Sequence, residues 1–505
     1  MSAPEQVKTL EKRIGELELE NKRLHDTVEY LTRKLYGRST EKTSSLDLGQ
    51  MSLFDEAEVE ANPAAPKPDL KEIQGYRRKK FKGQRLELLK DIPNDKRLCT
   101  LDAQDCFCEA CNTALVSVGE KFIRTEIEFI PAKVRAIDYY RETFECRTCR
   151  KNGKPYMEKS PMPYPVIQHS MASPSTVAWV MHLPLYRQEK EWKTLGVNLS
   201  RATMANWIGA ASRDWLSPLV KLMHQKLLQD KYIHADETVV QVMNEEGRKN
   251  TTDSYMWVYS SGQHGKHPIR IFEYQPGRSG KYPQKFLKGF TGYLHSDAYS
   301  GYIEIPGVTR CLCWTHLRRK FVDSLPKDIQ SPEATLPSQG IAFCNKLFEI
   351  ENHLEDLTID QRKSERLERE KPVLEAFWAW IDSAKGKVLP KSKLGEALNY
   401  ALNHKQEFMN YLQDGNCAIS NNLAENSIRP FTIGRKIWLF SGSPKGAAAS
   451  AAVYSIIESA KANGLNPFKY LQFIFSQLPG VQFGQHPEFL EDYLPWSPEV
   501  QESCR

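Results

Sequence analysis

No apolar run in the 505 residues is long enough to span a bilayer, which takes roughly 20 residues as a helix. The first thirty residues carry charge throughout and have no apolar signal-peptide core, so a soluble, cytoplasmic protein without membrane association is expected. Nor is there a strong net charge. The balance is only +6 in a 58.0 kDa chain, yet Lys and Arg are bunched, which suggests basic faces aimed at something acidic. Eleven cysteines in a reducing compartment would not form a disulfide framework, so regular spacing among them points to metal or chemistry. A chain of this length should hold several domains.

Leu10, Leu17, Leu24 and Leu31 share one heptad site, and Val7, Ile14, Val28 and Leu35 share the other, interrupted by Asn21. This is a coiled-coil pattern over 1–38, and a single buried Asn in such a seam favours two parallel strands, hence a homodimer or a higher oligomer built through it. Residues 39–95 read as a flexible linker ending in "YRRKKFKGQR". Its Arg77, Arg78, Lys79 and Lys80 fit phosphate-backbone contact on a tether, with a solvated linker as the alternative.

In 96–160, Cys108 and Cys111 are two residues apart, as are Cys146 and Cys149, and the alternating stretch between the pairs reads as a small β ribbon. Four thiolates in two such knuckles suit tetrahedral structural zinc that stands in for a small core. Cys106 is a competing ligand. Residues 161–228 are helical, and "YRQEKEWKTLGVNLSRATMANWIG" has a Gly196 break and a Ser200 cap before a second helix ending near Trp207. If this is a helix-turn-helix, Arg201, Thr203 and Asn206 lie on its recognition helix; an ordinary helical hairpin is the other reading.

The strand "YIHADETVVQV" sets Asp236 among apolar residues, "TGYLHSDAYSGY" runs a second apolar strand into Asp297, and "ISNNLAENSIRP" opens a helix at Glu425. With strands at 254–261 and 269–276 between them, Asp236 lies on the first strand of a meander and Asp297 on the fourth. That order suits a ribonuclease-H-like α/β domain in two parts, 229–332 and 416–480, with the first strand central beside the fourth. Alternation puts Asp236 on the face of His234, which makes Glu237 the poorer candidate. A carboxylate in an apolar strand costs several kcal/mol unless a cation compensates it. Magnesium or manganese would do so, and two such ions about 3.5–4 Å apart would activate a nucleophile and stabilise a leaving oxygen. Structural acids satisfied by backbone donors or Arg are the alternative.

The span from Asp297 to Glu425 exceeds what such a fold needs, and 333–415 reads as an all-α insertion. "CLCWTHLRRKF" combines Cys313 and His316, expected beside the site, with Arg318 and Arg319. Zinc there would need two more ligands. Asn422 and Arg429 share a helix face with Glu425 and are expected to support it. In "GRKIWLFSGSPKG", Arg435, Lys436 and Trp438 suit clamping DNA by charge and stacking. Packed helices follow, and 481–505 closes the chain.

These segments together, "LYGRSTEK", the paired cysteines, "HADET", "SDAYSGY", "CWTHLRRKF" and "NNLAENSIRPFTIGRKIWLFSGS", resemble the large transposase subunit of the insertion-sequence sixty-six family, of the DDE class. The resemblance implies a catalytic, metal-binding triad Asp236, Asp297 and Glu425 on a ribonuclease-H-like fold. It also implies DNA cleavage and strand transfer at an element's terminal inverted repeats into target DNA, nucleoid association in a bacterium, and helper proteins from neighbouring frames in many such elements. Family members often carry Asn where Ile437 stands. The alternatives are a sequence-specific DNA-binding regulator whose catalytic domain is inert, and a nuclease that cuts without joining.

Overall fold

The computed structural model describes Leu89 and residues 94–102, 105–130, 133–181, 184–325 and 335–505. The coiled-coil heptads and the basic residues Arg77, Arg78, Lys79 and Lys80 lie outside the described residues. The chain divides into Met1–Lys90 and Asp91–Arg505, and the architecture is that of the second, a mixed α/β unit. Among the described residues no helix is long and apolar enough to cross a membrane.

The first sheet is formed by β1 (Asn94–Cys99), β2 (Val116–Ile130), β3 (Lys133–Glu145) and β4 (Met157–Lys159). β3 is central: β1 pairs with it in parallel, and β2 and β4 pair antiparallel to it. The long β2–β3 ribbon is the alternating stretch between the cysteine pairs. β1 begins at Asn94, inside the segment expected to be linker, because its backbone finds partners from Ala136 to Arg141 on β3.

Helices Leu185–Thr194 and Arg201–Ala211 follow, broken at Gly196, whose φ of +90° is one that L side chains rarely adopt. The second helix runs past the expected stop near Trp207. Trp207 is buried, and the chain continues through a π turn, Ser212–Leu216, into the helix Ser217–Leu227.

The second sheet contains β5 (Tyr232–Gln241), β6 (Asp253–Ser261), β7 (Arg270–Gln275), β8 (Gly292–Ser296) and β9 (Val308–Leu312), in the spatial order β7-β6-β5-β8-β9. β5–β6 and β6–β7 are antiparallel, and β5–β8 and β8–β9 are parallel. The first strand is thus central and beside the fourth. β5 is covered on both faces, which explains its run of Tyr, Ile, Val and Thr rather than a clean alternation.

On one face lies the helix Asn422–Trp438. Ala424, Ile428 and Phe431 recur at helical spacing and form a stripe that packs on Val240, Val242, Met256, Val258 and Phe272. The edge strand β7 is covered by the helix Pro444–Ala462. Ser455 Oγ accepts the Phe272 N–H at 2.8 Å and Ser459 Oγ accepts the Arg270 N–H at 2.9 Å, so the exposed ladder of an edge strand is closed by side chains.

In its described residues the expected insertion consists of helices joined by turns, with no strand, from Leu336–Asn352 through Lys371–Lys385 to Lys405–Met409. Leu374, Phe377, Trp378 and Ile381 pack with Trp314, Leu317 and Phe321 of the helix Trp314–Asp323 in one core. Asp414, at the exit of the insertion, accepts Lys231 Nζ and Tyr232 Oη, each at 2.6 Å, and so ties that exit to the start of β5.

Candidate active site

The register of the central pair determines the site. His234 on β5 is level with His295 on β8, and the rings stack at 4.3 Å. Two residues on from these histidines come Asp236, within β5, and Asp297, one residue past the end of β8, so the two neighbouring strands deliver both acids to the same end of the sheet. Val258 and Phe272, the cross-strand neighbours of Asp236, face the helix that carries Glu425 in its first turn.

Burial, then the adjoining Glu237, and then Asp297 and Glu425 push the Asp236 carboxyl up to about 8, against one compensating hydrogen bond from the Glu237 N–H at 2.9 Å. The three acids feel one another, but they do not close to within 4.8 Å as the clustered donors described below do. Asp297 accepts the Tyr299 N–H at 2.9 Å. Its backbone is held by buried Arg310, whose Nη2 donates to the carbonyls of Asp297 at 2.6 Å and Tyr299 at 2.9 Å. Glu237 points to the opposite face. Its carboxylate, 2% exposed, takes Arg278 at 2.6 Å and the Tyr302 hydroxyl at 2.6 Å.

Glu425 is placed by Asn421, a residue the sequence did not single out. Asn421 is buried and precedes the helix, yet its side chain makes no cap. Its Nδ2 donates instead to the Ala235 carbonyl at 2.9 Å, its Oδ1 meets His234 Nδ1 at 3.1 Å, and its N–H donates to Cys313 Sγ at 3.1 Å. One side chain thus joins the helix start to the strand of Asp236. Burial lowers His234 to about 4, so the ring is neutral at this contact. The available signal was an Asn directly before a helix, ordinarily read as a cap.

Cys313, His316 and Glu425 bring their donor atoms within 4.8 Å of one another, which supplies one of the two further ligands that a metal at Cys313 and His316 would need. His316 Nδ1 stands 3.7 Å from Glu425 Oε1, beyond hydrogen-bond reach, and both atoms are buried without a hydrogen-bond partner. A second buried group, His295, Cys311 and Cys417, is equally compact, but His295 Nε2 is engaged by the Ala418 N–H at 3.0 Å.

Other expected positions are placed differently. Asn422 and Arg429 are exposed, and among the described residues no hydrogen bond joins either to Glu425. Trp438 is half-buried and packs edge-on to Phe431 at 5.2 Å, against the core below the helix. Arg435 is committed: its Nη1 donates to the Val239 carbonyl and to Thr238 Oγ1, and it braces the helix end against β5. Lys436 and Arg319 are exposed, and Arg318 donates to Asn345 Oδ1 at 2.7 Å. On the helix after Gly196, Arg201 and Asn206 are exposed. Arg201 pairs with Glu189 at 2.8 Å, and Thr203 Oγ1 lies 2.9 Å from the capping Ser200 hydroxyl.

The four expected cysteines converge. Sγ–Sγ separations are 3.6 Å for Cys108–Cys149, 3.3 Å for Cys111–Cys146 and 3.4 Å for Cys111–Cys149. A tetrahedron with zinc–sulfur bonds of about 2.3 Å has edges of about 3.8 Å, so the quartet fits structural zinc. Hydrogen bonds involving Thr113 and neighbouring thiols lower Cys111 to about 6, toward the thiolate a metal requires. Cys106 stands outside the quartet, with its Sγ toward the Leu101 carbonyl at 3.8 Å.

Residues 169–449 match the family described as Transposase IS66 family, and 105–150 match the zinc-finger binding domain of transposase IS66. The IS66 C-terminal element covers 455–496, and Transposase C of IS166 homeodomain covers 23–97. The chain belongs to the IS66 family of transposases. Among its relatives is the uncharacterized protein y4hP of Sinorhizobium fredii, 27% identical, over 93% of this chain and 87% of that one. Another is the uncharacterized protein y4jD of the same organism, 27% identical over 98% and 96%. Of solved structures, the Drosophila P element transposase strand transfer complex is similar at a TM-score of 0.35 and 13% identity, covering 61% of this chain and 94% of that one.

Proposed function

We propose that this transposase cuts DNA at the terminal inverted repeats of its element and joins the ends to target DNA, using Asp236, Asp297 and Glu425 on a ribonuclease-H-like domain. The observation that carries this reading is the buried Asp236 carboxyl, which among the described residues has no Lys or Arg paired with it. Three acids from three elements are close enough for Asp297 and Glu425 to act on Asp236, which burial and these neighbours push up to about 8. A carboxylate kept in that state without a positive partner is a cost that a divalent cation removes. The hard oxygen donors fit magnesium or manganese. When bound, such ions activate an attacking water or 3′-hydroxyl and stabilise the leaving oxygen.

The chain's own part is positional. Asn421 holds the Glu425 helix against β5, Arg310 holds the backbone of Asp297, and the parallel pairing of β5 with β8 brings Asp297 out beside the strand of Asp236. Exposed Lys436, Arg319, Arg201 and Asn206 are suited to meeting phosphates or bases around the site. The coiled coil would make the dimer that pairs two ends, with helper proteins of the same element as further partners.

The test is strand cleavage by purified variants on the DNA ends that flank this reading frame. Asp236→Asn, Asp297→Asn and Glu425→Gln are each expected to retain end binding and to lose cleavage by at least about a thousandfold, the scale on which removing one member of a catalytic constellation acts. Cleavage that survives in any one variant removes that acid from the triad. Joining of precut ends separates a transposase from a nuclease that only cuts.

A further inference from the structure

Glu237 follows Asp236 directly but, one residue on in the strand, turns to the other side of β5, buried, although its charge still acts on Asp236 and that of Asp297 on it. What it does hold is Arg278, from the turn after β7. Arg278 Nε and Nη2 both reach Glu237 Oε1, at 2.7 and 2.6 Å. The guanidinium lies over the Tyr299 ring at 4.0 Å from its centroid, and Tyr299 is the residue whose N–H Asp297 accepts. Nη2 stands 3.9 Å from Asp297 Oδ2, near but not bonded. The side chain is 41% exposed, and among the described residues Nη1 has no hydrogen bond or ion pair.

An arginine anchored on one edge, held flat by an aromatic ring and open on its other edge is prepared to bind a phosphate through paired N–H groups. Its charge is already balanced by Glu237, so it adds donors beside Asp297 without adding net charge there.

We propose that Arg278 binds the DNA phosphodiester that is cleaved beside the three acids, and that Glu237 and Tyr299 are its positioning residues. This rests on the three-acid reading above and adds a substrate contact to it.

The experiment measures single-turnover cleavage of the flanking end duplex at saturating protein for wild type, Arg278→Ala, Arg278→Lys and Asp236→Asn, with end binding and thermal midpoint recorded for each. Arg278→Ala is expected to melt lower, because it leaves the buried Glu237 carboxylate with only the Tyr302 hydroxyl. At a temperature where it is fully folded it should keep end binding and cleave about 100-fold more slowly, the scale for losing one preorganised donor. Arg278→Lys, which keeps the charge but loses the fork, is expected to fall between. Guanidinium ion added at millimolar concentration should recover part of the Arg278→Ala rate and none of the Asp236→Asn rate. The proposal is overturned if Arg278→Ala cleaves within about threefold of wild type, a change too small for a lost phosphate contact. It is equally overturned if the rate falls and guanidinium recovers none of it. Failure of the three-acid reading is seen separately, as cleavage by Asp236→Asn.

Discussion

Asp236 is the residue at which the site can be tested without DNA. Its carboxyl sits near 8 in the folded chain against about 3.9 for a free aspartate. Between these values the native state keeps a proton that the unfolded state has released, so stability falls as pH rises from about 4 to 8. Asp236→Asn removes the titration. Without added divalent cations, this variant should melt above wild type at pH 8, and the difference should shrink toward pH 5. A midpoint at pH 8 no higher than wild type would show that the charge is compensated by some other group. The anomaly of Asp236 was legible in the sequence because a charged residue interrupted a strand of apolar ones. The same signal stood at Arg310 in "VTRCLC", and a different one, an Asn directly before a helix, stood at Asn421. Neither could be interpreted locally, since what each holds, the Asp297 backbone and the edge of β5, is distant in the chain.

At the scale of elements, β5 to β8 were legible as apolar runs and the Glu425 helix from its helical spacing, whereas the docking of the insertion was not. That docking depends on Arg366, a fully buried guanidinium. It pairs with Glu351, reaching Oε2 at 2.9 Å, and donates to the carbonyls of Asp414 at 2.9 Å and Cys417 at 2.8 Å. These carbonyls lie on the segment that leads out of the insertion toward Asn421 and Glu425. Arg366→Met keeps much of the volume but strands Glu351 and the carbonyls, so a loss of about 3–5 kcal/mol is expected, as for one partner removed from a buried pair. Urea unfolding measures it, and an unchanged midpoint would mean that the segment is held elsewhere. The sequence showed only a charged helix at "QRKSERLERE", where Arg366 is indistinguishable from its solvated neighbours.

For the whole molecule, the cysteine module rests on a small apolar cluster, Leu101, Leu115 and Phe144 with the thiols themselves, so metal replaces missing core. Purified protein is expected to carry about one zinc per chain, the stoichiometry of a single four-thiolate site. Cys146→Ser should release it and open the β2–β3 ribbon to proteolysis while the five-stranded sheet stays folded. Zinc content unchanged in that variant would remove Cys146 from the ligand set.

The sequence by itself determined which elements form and which residues sit uneasily in them, because periodicity, cysteine spacing and a charge in an apolar strand are local properties. The tertiary structure alone decided which of several adjacent candidates serve the site. A step of one residue turns a side chain through about 100° on a helix and to the opposite face on a strand. That is why Asn421 rather than Asn422 braces the helix of Glu425, why Trp438 faces the core, and why Glu237 holds Arg278 while Asp236 faces the other acids.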